Sequence, residues 1–294
     1  MKEKLLFLYY KFSLYSKISY YRFLKSLNIH NTQDTVKTII KNKVSVSRYG
    51  DGEFAVMAGG FNGFQKTDLK LAARLKEVIL NPIEHHITCI PYSYKSVKDV
   101  KESSKFFIYS FLLSFKDSAI LSFIRKDFTY YDANFTRFYM SKVDHSNLDE
   151  YIPLLKGIWD KKDLLIVEGR YSRLGVNNDL FDNATSIQRI LCPEKNAFDK
   201  YDTILAETKQ NAEGKLVLIA LGMTATVLAY DLAKVGVQAI DIGHVDVEYM
   251  WYKMKATQKC PIPGRYVNEA GGYQEELDES LLAEYKQQII KEIQ

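Results

Sequence analysis

Asp51 and Glu53 flank Gly52 in the run SRYGDGEF, directly after a β-like stretch at Val44, Ser45 and Val46. A flexible turn there can aim both carboxylates at one hard cation, with phosphate oxygens and water completing the shell. Unpaired acids this close repel each other, and a cation relieves that repulsion. The plain alternative is a solvated turn. GHVDVEY supplies a second group, His244, Asp246 and Glu248. The histidine suits a structural hydrogen bond as well as a metal or phosphate contact, and either acid suits a general base acting on a hydroxyl.

Further candidates lie in EGRYSRLGVNNDLFDNA, where Arg170 and Arg173 stand near Asn177, Asn178 and Asp179. Arginine meets a diphosphate through two parallel hydrogen bonds, and the amides and acid can read ribose or sugar hydroxyls. A salt-bridged surface loop explains the same residues. In LGMTATVLAYDLA a helix beginning near Thr224 follows Gly222, and free amides at a helix start hold phosphate. A tight turn with Thr224 as cap is the competing account. Arg137 and Tyr139 in NFTRFYM fit either a site or simple packing.

The elements that must position these residues read as alternating strands and helices. VSVS, HITCIP, LLIVEG, IQRILCP, KLVLIALG and VQAIDIGH are β-rich, while TVKTIIKNK, TDLKLAARLKEVIL with Thr67 as N-cap, AFDKYDTILAETKQ and TATVLAYDLAKVG look helical. The spacing predicts a mostly parallel, three-layer α/β sheet. Residues 97–126 read as two helices and the tail SLLAEYKQQIIKEIQ as another. Five strand ends carry acids, arginines, amides or small hydroxyls, and ligands of open α/β sheets bind beyond such ends.

A chain of 294 residues can bury a substantial core, and a net charge of +4 is too small to argue for a nucleic-acid partner. The 21 tyrosines and 16 phenylalanines fit an aromatic core or sugar-binding surfaces. Three scattered cysteines without CxxC spacing argue against disulfides and a cysteine zinc site, and for a reducing, cytoplasmic setting. The apolar run LLFLYY near the N-terminus is too short for a signal-peptide core or a membrane span. On one continuous helix Lys4, Lys11, Arg22 and Lys25 share an arc of about 60°, predicting an amphipathic extension over residues 1–30. That helix would dock on the domain or a second subunit, or lie on a membrane surface, beside a single domain over 31–294.

Together RYGDGEF, TRFYM, VEGRYSRLGVNNDLFDNA, ILCPEKNAF, LGMTATVLAYDLA and AIDIGHVDVEYMW resemble the GT-D-fold glycosyltransferases, over roughly residues 35–272. The resemblance implies a Rossmann-like domain using a nucleotide sugar, typically UDP-glucose, with Mn²⁺ or Mg²⁺ bound through a DxE motif. Asp51 and Glu53 are this chain's DxE, with His244 as a further expected ligand. Gly222, Thr224 and Thr226 would hold phosphate, and Asn196 would lie near the nucleoside. Arg48, Arg170 and Arg173 would neutralise charge, Asn178 and Asp179 would contact the donor, and Asp246 or Glu248 would deprotonate the acceptor. The acceptor would be a glycan on protein or lipid, in bacterial glycoprotein or surface-polysaccharide synthesis. Two rivals remain: another nucleotide-using enzyme such as a methyltransferase, and a non-catalytic nucleotide-sugar-binding subunit that supports a partner transferase.

Overall fold

The computed structural model describes residues 2–15, 18–60, 65–114, 123–273 and 279–294. Its main sheet holds β1 (Asn28–Ile29), β2 (Ser45–Arg48), β3 (His86–Ile90), β4 (Thr129–Asp132), β5 (Asp163–Gly169), β6 (Ser186–Cys192), β7 (Leu216–Ala220), β8 (Ala239–Asp241) and β11 (Ile289–Glu292). A small antiparallel hairpin, β9 (Tyr266–Val267) and β10 (Gly272–Tyr273), stands apart. The sheet order is β1-β4-β3-β2-β8-β7-β5-β6-β11, and every pairing in it is parallel. All its strands therefore end on the same side.

Burial on both faces produces this arrangement. On β5, Leu164 and Ile166 enter one core cluster while Leu165 and Val167 enter another, so the strand's central run, residues 164–167, is apolar on both faces. One face is covered by α3 (Thr32–Asn42), α7 (Leu148–Lys156) and α10 (Val245–Lys253). The other is covered by α4 (Asp51–Met57), α5 (Leu69–Leu80), α8 (Tyr201–Asn211) and α9 (Met223–Ala233). The three layers match the expected architecture. In detail, Asp68 rather than Thr67 caps α5, because its carboxylate accepts from the Lys70 and Leu71 amides at 2.7 and 3.0 Å.

The ends of the chain differ more from expectation. The extension holds α1 (Lys2–Tyr15) and α2 (Ile18–Ser26), and the link between them, on which the expected continuous arc from Lys11 to Arg22 depends, lies outside the described residues. α1 lies along α6 (Glu102–Ser114), with the Tyr10 and Phe106 rings 5.2 Å apart. Leu24 and Leu27 are core residues, and β1 joins the sheet beside β4, which ties residues 24–29 to the domain. Leu5, Leu8, Tyr9 and Phe12 form an exposed stripe on α1. Part of the second helix expected within residues 97–126 lies outside the described residues. The tail forms α11 (Glu279–Gln288) and then β11, a strand paired with β6 where only a helix was expected. Among the described residues no helix is long and apolar enough to cross a membrane.

Candidate functional site

The loops beyond the carboxyl ends of β2 to β8 enclose a cavity of about 1270 Å³. Of the expected site residues, Arg48, Asp51, Glu53, Asn196, Gly222, His244 and Asp246 line it. Arg170, Arg173, Asn178, Asp179, Thr224, Thr226 and Glu248 do not.

Asp51 and Glu53 sit in the first turn of α4, a helix the glycine-rich sequence did not announce. Asp51 is exposed at its start, where a carboxylate also favours the helix dipole. Glu53 folds back so that one oxygen accepts from the Gly50 amide at 2.8 Å. Burial pushes its carboxyl up to about 7, with Asp241 and Asp51 adding to the rise and the Gly50 bond opposing it. The pair thus puts two carboxyl groups at one point of the wall, with Glu53 only part ionised near pH 7 until a cation or donor offsets the cost.

Arg48 lies beneath this point and is already engaged. It reaches Asp241 at the end of β8 at 2.8 Å and Thr136 at 2.8 Å. Gly243 lets it pass: φ is +43°, and a Cβ there would stand 1.8 Å from the guanidinium. Arg48, expected to neutralise ligand charge, lines the cavity and also supports its wall through these bonds. His244 follows, half-buried, with its buried Nδ1 lacking a partner among the described residues. Burial, helped by Arg137, holds its pKa down to about 3, so the imidazole is neutral near pH 7. Arg137 pairs with Glu269 at 2.7 Å, and Lys259 meets the other Glu269 oxygen. Against the upward push of burial, these cations hold the Glu269 carboxyl near 2. Arg137 thus belongs to the cavity wall, while Tyr139 stacks on His145 at 4.5 Å.

The two expected bases are both committed elsewhere. Asp246 and Glu248 are two residues apart on α10, roughly 200° around it, and face different neighbours. Asp246 reaches the cavity wall, but one oxygen accepts from Gly175 and Asn178 at 2.8 and 2.7 Å and the other is paired with buried Arg265. One Glu248 oxygen accepts from the Tyr139 and Met140 amides at 3.0 and 2.9 Å, and burial raises its pKa. Both acids hold loops in place through these contacts, and of the two expected bases only Asp246 lines the cavity. Asn178 belongs to the Asp246 network, and Asp179 pairs with Lys253 at 3.1 Å. Arg173 donates to the Gly264 carbonyl at 3.0 Å, and Arg170 lies outside the cavity wall.

At α9 the expectation divides. Gly222 adopts φ +54°, a backbone suited to glycine, and a Cβ there would meet nothing within 4 Å, so the helix start opens on the cavity. Thr226 is buried and donates to the Arg48 carbonyl at 2.9 Å, a strut between α9 and β2. Thr224 is also buried, and its hydroxyl has no partner among the described residues. Sequence reasoning missed Glu269, Lys259 and Gln65, which line the cavity from segments with no strand-end pattern.

No group of three histidine, cysteine or acidic side chains that could enclose a metal occurs among the described residues. Asp51 and Glu53 instead offer the one or two carboxylates with which a protein holds a cation shared with substrate phosphates. The pair fits that role, and His244 is not grouped with it closely enough to complete a three-residue cage.

The sequence profile described as glycosyltransferase GT-D fold matches residues 46–270. The chain belongs to the GT-D-fold glycosyltransferase family. It is 35% identical over 253 residues to glycosyltransferase GlyD of Streptococcus pneumoniae serotype 4, covering 84% of this chain and 30% of the relative. It is 34% identical over 247 residues to "Probable glycosyl transferase Gly" of Streptococcus gordonii, covering 83% and 36% respectively. The chain thus spans about a third of the length of these relatives. A solved structure of domain of unknown function 1792, described as having a distinct glycosyltransferase fold, superposes with a TM-score of 0.88 at 36% identity, covering 94% of this chain and 99% of that one. The GT-D match leaves the methyltransferase alternative without support.

Proposed function

We propose that this GT-D-fold protein is a metal-dependent hexosyltransferase that moves a sugar, with glucose the first candidate, from a UDP-sugar to a glycan acceptor. The carrying observation is one large cavity whose wall joins the Asp51–Glu53 pair to the open start of α9 at Gly222. Acids and a helix N-terminus favour opposite charges, and a diphosphate with its cation satisfies both. A single ligand site usually occupies roughly 300–1,000 Å³. At about 1270 Å³ this cavity has room for a donor and the end of an acceptor together.

In the reaction the acceptor oxygen bonds to the anomeric carbon, the bond from that carbon to UDP breaks with its electron pair leaving on UDP, and the hydroxyl proton passes to water. Asp51 and Glu53 would hold Mn²⁺ or Mg²⁺, which when bound would supply charge neutralisation for the diphosphate. The Arg137–Glu269 pair, backed by Lys259, borders neutral His244 and lines the same cavity. Arg48 and Asp241 hold the β2 and β8 ends together beneath the reacting groups.

The reading carries a cytoplasmic setting and an acceptor carried on protein or lipid, with the exposed α1 stripe as the surface for a membrane or a second copy. Isothermal titration of UDP and UDP-glucose, with Mn²⁺ and then with excess chelator, tests the core of it. Binding that needs the metal is the expected result. Absence of binding by UDP-, GDP-, dTDP- and CMP-sugars alike would remove the transferase reading. Binding without transfer or hydrolysis, with every acceptor tried, would favour the non-catalytic subunit.

A further inference from the structure

Gln65 is 4% exposed and lines the cavity, yet its Nε2 has no hydrogen-bond partner among the described residues. A buried amide left unpaired is costly, and such groups are few in folded proteins. The donor points to something the cavity receives.

Its neighbours make the position rigid. The next residue, Lys66, donates its backbone amide to Asn196 Oδ1 at 2.9 Å, and its ammonium pairs with Asp199 at 2.7 Å. Gln65 is thereby pinned to the loop that follows β6. The Asn196 amide oxygen is used in that bond, so Asn196 keeps its N–H₂ group for the cavity it lines. Two side-chain amides on one wall thus offer donors. They stand apart in sequence from the acids at the start of α4 and from Gly222 at the start of α9, which face the diphosphate in the proposed function.

We propose that Gln65, braced by Asn196, reads the nucleobase of the donor by donating to a ring carbonyl oxygen. The inference rests on the donor reading above and adds the base-recognition end. Uracil presents carbonyl oxygens on both sides of its ring N–H. Cytosine keeps O2 but carries an amino group in place of O4, the oxygen Gln65 reads, and that N–H would meet the Gln65 N–H. A site built to hydrogen-bond one group discriminates strongly against an analogue that leaves its polar atoms unpaired.

The test compares UDP and CDP binding, each with Mn²⁺, to the wild-type protein, Gln65→Leu and Gln65→Glu. Wild type should prefer UDP. Gln65→Leu should weaken UDP by about tenfold, the worth of one hydrogen bond, and should not weaken CDP, which loses only an opposed N–H. Gln65→Glu, which replaces a donor with an acceptor, should shift the ratio toward CDP. Because Leu removes an unpaired buried donor, its melting temperature should stay at or above that of wild type. Equal UDP affinity in wild type and Gln65→Leu overturns the base-reading role and leaves the donor reading standing. Equal weakening of UDP and CDP, or a melting temperature lowered by several degrees, also overturns it, by showing a phosphate-holding or structural residue. If wild type binds neither nucleotide, the donor reading itself fails, and base recognition fails with it.

Discussion

Asp51 and Glu53 look alike in sequence and differ in the fold. Asp51 projects from the start of α4 with its carboxylate exposed, while Glu53 is drawn back onto the Gly50 amide. Asp51→Asn removes a charge and keeps the shape, at a cost limited to the helix-dipole contribution, about 0.3–1 kcal/mol. The expected outcome is a melting curve close to wild type together with loss of metal-dependent nucleotide binding. Wild-type affinity in Mn²⁺ would take the cation away from this pair. Asp246 supports the opposite forecast. Its two oxygens serve Arg265, Gly175 and Asn178, so Asp246→Asn leaves a buried guanidinium without its counter-charge. Breaking one partner of a buried pair typically costs about 3–5 kcal/mol. A urea midpoint lowered accordingly is expected, and an unchanged midpoint with lost turnover would mark Asp246 as a base. The spacing of these acids was legible; which way each faced was not. Direction depends on the helix that carries them and on Arg265, nineteen residues further along.

Strands were the most legible elements, because burial on both faces leaves their central residues apolar, as at residues 164–167 of β5. α4 was less so: DGEF reads as a turn, and its helix is fixed by Glu53 closing on Gly50 and by Phe54 entering the core. β11 was hidden for another reason, since Ile289 and Ile290 continue the helical pattern of α11 and only the free edge of β6 turns them into a strand. That edge reaches the site. Arg189 on β6 pairs with Glu168 at 2.6 Å, takes Gln288 at 2.7 Å, and donates to the Leu174 carbonyl at 2.8 Å in a cavity-lining loop. The Tyr285 ring of α11 covers its guanidinium at 4.7 Å. Arg189→Met should leave Glu168 buried and unpaired, lowering stability by about 3–5 kcal/mol. The same change should raise the KM for donor, because the loop through Leu174 loses its anchor. A loss of stability with unchanged KM would show that the clamp serves the sheet edge alone.

At the scale of the whole molecule, parallel pairing puts the chemistry on one side of the sheet and leaves the other side to stability, so the two respond separately to pH. His86 opens β3 at the end away from the cavity. Ser47 donates its hydroxyl to the Thr226 carbonyl at 2.6 Å, so its oxygen accepts from His86 Nε2 at 2.8 Å. That fixes the neutral tautomer and leaves Nδ1 bare, with no partner among the described residues, beside the edge of the Tyr230 ring at 5.2 Å. Burial lowers the pKa of His86 to about 3. An unfolded histidine titrates near 6.5, so between about pH 6.5 and 3 the unfolded chain binds a proton that the folded one refuses. Protons therefore favour unfolding in that window: the stability conferred by neutral His86 is fully present above it and is lost as pH falls, at up to about 1.4 kcal/mol per unit. His86→Gln keeps an N–H for Ser47 and cannot titrate. Urea midpoints measured at pH 7 and pH 4.5 should fall less in this variant than in wild type, with metal-dependent UDP binding at pH 7 the same in both. Equal slopes would mean that His86 already accepts its proton in the folded state, and that the acid sensitivity of the sheet lies with other groups.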